Sequence, residues 1–63
     1  MTKKEIKKIA KELAALEYQA QHSEGELRYQ TEKAIMTLTN KVTDIEDMVL
    51  IDDMVMKILE QKS

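Results

Sequence analysis

Apolar residues recur along this chain at alternating steps of three and four, the spacing that aligns side chains on one side of an α-helix, and they do so in three successive stretches. The first runs Ile6, Ile9, Leu13, Leu16 and Ala20, widened by Ala10 and with Glu17 at its margin. The second is thinner: Leu27, Thr31, Ala34, Ile35, Leu38 and Val42, with Tyr29 and Met36 on the far side. The third is the most apolar, with Ile45, Met48, Val49, Val55, Met56 and Leu59 as its expected main face and Leu50, Ile51, Met54 and Ile58 continuing around the side.

Each stretch is preceded by a helix-start signature, a Ser or Thr followed three residues later by Glu: Thr2 to Glu5, Ser23 to Glu26 and Thr43 to Glu46. In that pattern the hydroxyl caps one unpaired backbone N–H and the carboxylate returns to cap another. The single Gly, Gly25, sits beside the second signature, and Asn40 is placed to end the second helix in a left-handed conformation. Helices are therefore predicted at about 3–21, 25–40 and 44–61 in one domain spanning 1–63. The expected fold is all-α, a small antiparallel three-helix bundle in which the first and third helices run parallel.

A second architecture fits the same pattern. No Gly or Pro interrupts the chain after Glu26, and about 18 residues make five turns, so the stripe of Leu27, Ala34 and Leu38 resumes in register at Ile45, Val49, Met56 and Leu59. The alternative is a helical hairpin with a short first helix and one long second helix, dimerising to cover the bare half of its stripe.

Composition narrows the means of stabilisation. A chain of 63 residues without cysteine has neither a disulfide nor a Cys-based zinc site to staple it, and its 5 Met with no Phe or Trp make an aliphatic, adaptable core. No apolar run approaches the roughly 18 residues of a membrane span, no signal-peptide pattern precedes the first helix, and the cytoplasm is the expected compartment. The net charge of −2 conceals an asymmetry: Lys3, Lys4, Lys7, Lys8 and Lys11 face only Glu5 among the first 11 residues, and the remainder is acidic. In a bundle these lysines are expected to be neutralised by Asp44, Glu46 and Asp47. Left free, they form a candidate anion-binding face, though without arginine or aromatic residues to read bases.

Candidate chemistry is sparse. His22 adjoins Ser23, but a nucleophile and base need convergence and an orienting third group, and a capping role already accounts for Ser23. The acids of the third stretch lack the glycine turn of a calcium loop, and no Glu-x-x-His pair suggests a di-metal bundle. No enzyme activity, cofactor or metal is expected. Asp52 is the anomaly, since projection places it inside the apolar face of the third helix. A buried polar role, setting the register of a bundle or dimer, is one reading, and a half-exposed acid at the stripe's rim is the other.

The functional expectation is a non-enzymatic protein-protein interaction or assembly module. It self-associates as a homodimer through the third helix, with Leu50, Ile51, Met54 and Ile58 as the interface and Tyr29 and Met36 adding to it. Another protein is a further possible partner, and a membrane is not. The alternative is a small nucleic-acid-associated regulator working through the five lysines of the first helix.

Overall fold

The computed structural model describes residues 1–62 and consists of three α-helices, α1 (Lys3–Gln21), α2 (Gly25–Asn40) and α3 (Ile45–Lys62). The chain is a three-helix bundle, and the continuous long second helix does not form. Residues 41–44 interrupt it for local reasons. Lys41 and Val42 donate to the carbonyls of Leu38 and Thr39 at 3.2 and 3.1 Å, the tightened bonds of a helix end. The hydroxyls of Thr37 and Thr39 donate to carbonyls of the preceding turn at 3.0 Å, a local competition that weakens continuation. Val42 then tucks against the core, and the Asp44 carboxylate accepts the Glu46 N–H at 2.9 Å to start α3.

Of the three start signatures, only the first forms the complete reciprocal box. Glu5 N–H donates to Thr2 Oγ1 at 3.2 Å, and Thr2 N–H donates to Glu5 Oε1 at 3.2 Å. At the second, Ser23 turns the other way and donates its hydroxyl to the Gln19 carbonyl, closing α1, while Glu24 precedes α2 with no side-chain cap. At the third, the cap falls to Asp44 instead of Thr43. Asn40 is not left-handed either: the one positive φ among the described residues is that of Gly25, at 66°. There a side chain would strain the backbone although a Cβ would meet nothing within 4 Å.

α1 is the middle of the bundle. It packs extensively on both α2 and α3, whereas α2 and α3 meet only weakly, and the Cα envelope is correspondingly flat at 34 × 25 × 16 Å. The buried apolar core draws Ile6, Ala10, Leu13 and Ala14 from α1, Leu38 from α2, and Ile51 and Val55 from α3. A helix with neighbours on two sides needs an apolar arc wider than a single stripe, which is why Ala14, off the Ile6–Leu13 line, is completely hidden. α1 and α3 run parallel: the Met1 amino group lies 3.9 Å from Asp47 at one end, and Lys62 Nζ sits 5.3 Å from the Tyr18 ring centre at the other.

Asp52 is exposed, so the buried polar role does not hold and the rim reading does: α3 meets the core with the side bearing Ile51 and Val55, and Asp52 lies at the edge of that contact. The buried polar residue is Thr31 on α2, 3% exposed, whose hydroxyl donates to the Leu27 carbonyl at 2.7 Å and accepts from Gln19 Nε2 at 2.9 Å. Its hydrogen-bonding capacity is met inside the α1–α2 contact, so its burial carries no desolvation penalty of an unpaired group.

The orientation of α3 makes a direct prediction. Ile51→Ala removes a fully buried side chain and should cost about 2–5 kcal/mol of unfolding free energy, whereas Val49→Ala, at an exposed position two residues away, should cost under about 0.5 kcal/mol. Urea denaturation of both variants checks the rotation; equal losses would mean that α3 faces the core with its other side.

Candidate helix-docking face

α3 packs extensively on α1 but meets α2 only weakly, and its uncovered side is apolar. Ile45 is 82% exposed, Val49 54% and Met56 61%. With Asp52 and the half-buried Leu59, these residues follow the spacing four, three, four, three, the knob pattern by which one helix seats against another. The seam from Ile45 to Leu59 is thus regular, two turns of helix on either side of a central carboxylate.

The residues expected to form an interface are distributed differently. Ile51 is wholly buried against α1, and Met54 and Ile58 are half-buried on the same contact, leaving only Leu50 substantially exposed on that side. Ile51 is therefore corrected from interface to core. The apolar surplus of α3 is real, but the two sides exchange roles: the flank expected to dock a partner packs on α1, and much of the expected core face lies bare. Ala10 and Ala14 of α1 share the buried core with Ile51 and Val55, and Ile58 packs against it. Tyr29 and Met36 are exposed on the side of α2 opposite Thr31 and Leu38, and α1 stands between that helix and α3, so they do not join Leu50 in one patch. Lys33 Nζ lies 5.0 Å from the Tyr29 ring centre, one turn along α2.

Charge is segregated around the seam. Glu46, Asp53 and Glu60, all exposed, recur every seven residues and so form an acidic rail along one edge. At the inner edge the Glu17 carboxyl of α1 is half-buried; burial, and next the nearby charge of Asp52, push it up from the ordinary carboxylate range. Glu5 shifts the opposite way, lowered by the hydrogen bonds from the Thr2 backbone and hydroxyl.

The lysines of α1 are all exposed, and none of them forms an ion pair among the described residues, so the expected neutralisation by Asp44, Glu46 and Asp47 is absent. Asp47 instead lies near the Met1 amino group, and Glu46 is exposed. Lys7 and Lys11 border an open depression of about 390 Å³ with Lys57, over a floor of Ala10, Met54 and Ile58. Lys8 lines a separate depression of about 300 Å³ beside α2. His22 stacks on Tyr18 with ring centres 4.3 Å apart, and Ser23 is occupied at the end of α1, so this pair does not converge as nucleophile and base. Among the described residues no three His, Asp or Glu side chains are grouped to hold a metal, and no helix is long and apolar enough to cross a membrane.

The class defined by these features is a small all-α bundle with one unpartnered helix face. No protein-family description, curated protein or solved structure matches the chain.

Glu17 makes this region sensitive to pH. A carboxyl whose folded-state pKa is raised holds its proton more tightly when folded, so its ionisation costs stability as pH rises through that range, and protonation restores it. Glu17→Gln should raise Tm at neutral pH, with the gain vanishing below about pH 3. Calorimetry of the two proteins across pH tests this; a variant that is less stable at neutral pH would contradict it.

Proposed function

We propose that this chain is a non-enzymatic interaction or assembly module whose working surface is the outer seam of α3, onto which a helix from another chain docks. The observation that supports this reading is the exposure of Ile45, Val49 and Met56 at helix-pairing spacing. Scattered single apolar residues are normal on a protein surface, but a regular row along one helix is the form that helix-in-groove recognition takes. Docking there gives α3 the second neighbour that α2 does not supply. The surface differs from the interface expected from the sequence, since it replaces Ile51, Met54 and Ile58 by Ile45, Val49, Met56 and Leu59.

Selection of displayed peptides against the chain, combined with sedimentation of the chain alone, tests the reading. Selected peptides should carry apolar residues at steps of three and four, or the chain should associate with itself. Either interaction should disappear in the Val49→Glu/Met56→Glu double variant, whose helicity and Tm should stay near wild type because both positions are exposed. Binding that ignores the double variant, together with a monomer at high micromolar concentration, would sink the proposal.

A second reading, a small nucleic-acid-associated regulator, is favoured by one observation: Lys7, Lys11 and Lys57 border the same depression and none is in an ion pair. It predicts binding to duplex DNA or RNA that weakens steeply with salt, as counterion release requires, and is reduced by Lys7→Ala/Lys11→Ala. Absence of any electrophoretic shift at low salt would remove it.

A further inference from the structure

The seam carries its own instruction about what fits it. We infer that the helix docking on α3 is a cationic amphipathic helix of another protein, with a Lys or Arg seated opposite Asp52; this rests on the proposed docking function. Asp52 lies midway between the apolar pairs Ile45/Val49 and Met56/Leu59. If a second copy docked through the same seam in parallel and in register, Asp52 would be set against Asp52. Each copy would also bring Glu17 beside its own Asp52, a neighbour whose charge Glu17 already registers. Like carboxylates within a few ångströms and partly shielded from water repel, and the repulsion grows as the contact dries.

Among the described residues no cation of the chain is paired with Asp52 or Glu17. Lys3, Lys4, Lys7, Lys8 and Lys11 lie on the polar side of α1, whose apolar stripe is already committed to the core. Arg28 is engaged with Glu32 at 3.1 Å, Lys62 lies over Tyr18, and Lys57 lines the depression beside α1. A foreign helix with aliphatic residues at the matching steps fills both apolar pairs, and a central cation answers Asp52 and Glu17 together. Further cations along one flank face the rail of Glu46 and Asp53. The seam from Ile45 to Leu59 is about 21 Å long, so roughly 15 residues of partner helix suffice.

The probe is a labelled synthetic 21-residue peptide with Leu at the pairing positions of three heptads, Lys at the central pairing position and Lys on both flanks. It is compared by fluorescence anisotropy with a version carrying Glu for every Lys, a version with Leu at the centre, and a scrambled sequence of identical composition. The Lys peptide should bind at least about tenfold more tightly than the Glu and scrambled peptides, as complementary charge across an apolar contact provides. Asp52→Asn should weaken the Lys-centred peptide several-fold while leaving or improving the Leu-centred one, and Val49→Glu should abolish both. Equal binding of the Lys, Glu and scrambled peptides would overturn the inference. So would a Val49-dependent homodimer at neutral pH, which makes the occupant a second copy and leaves the docking function standing. A monomer that binds none of the peptides would overturn both.

Discussion

The organisation of this protein depends on α1 being packed on two sides at once. Ile6, Ala10, Leu13 and Ala14 of α1 are all buried, and α1 packs extensively on both flanking helices. In so small a chain, apolar area is scarce relative to surface, and a middle helix with neighbours on both sides uses it most fully. The outer helices then have one strong neighbour each. α2 meets this condition by being polar: its stripe is thin and includes a satisfied threonine. α3 does not, because it is apolar around more of its circumference than α1 alone can cover.

That mismatch between an apolar helix and a single neighbour is where structure leads to function. Burying Ile51 and Val55 against alanines fixes the rotation of α3, and rotation fixes what is left outside: an apolar row, an acidic rail and a central aspartate. Among the described residues the lysines of α1 form no ion pair with those acids. On the proposed docking function, Asp52 and Glu17 would act as a specificity element, opposing a like-charged helix on the row and favouring one of opposite charge.

The two carboxyls with displaced titration belong to opposite parts of this logic. Glu5 is held ionised by the cap it completes with Thr2, so it contributes stability at neutral pH that is lost on acidification. Glu17 is ionised against burial and against Asp52, and it costs stability in the same range. A group that destabilises the lone fold at the edge of an exposed seam is the kind of local conflict that an arriving cation resolves.

Much of the architecture was legible in the chain itself. Steps of three and four located all three helices to within a residue or so, since helical period and the run of poor helix formers around Thr39 to Thr43 are local properties. The Thr2–Glu5 box was legible for the same reason. What the sequence left open was every question about which neighbour claims a side chain. Ser23 has a hydroxyl able to cap either of two adjoining helix ends, and α3 has apolar residues on enough of its circumference to face α1 with either side. Asp52 looked buried because projection knows the stripe but not the rotation. Periodicity and capping chemistry located the helical stretches but left open whether those after Glu26 form one helix or two; the structure decided that they form two, that α1 is central, that Ile51 is core and that Val49 is surface. The reason is that these outcomes turn on the fit of Ala10 and Ala14 to a helix more than 30 residues away along the chain, a contact that no local pattern contains.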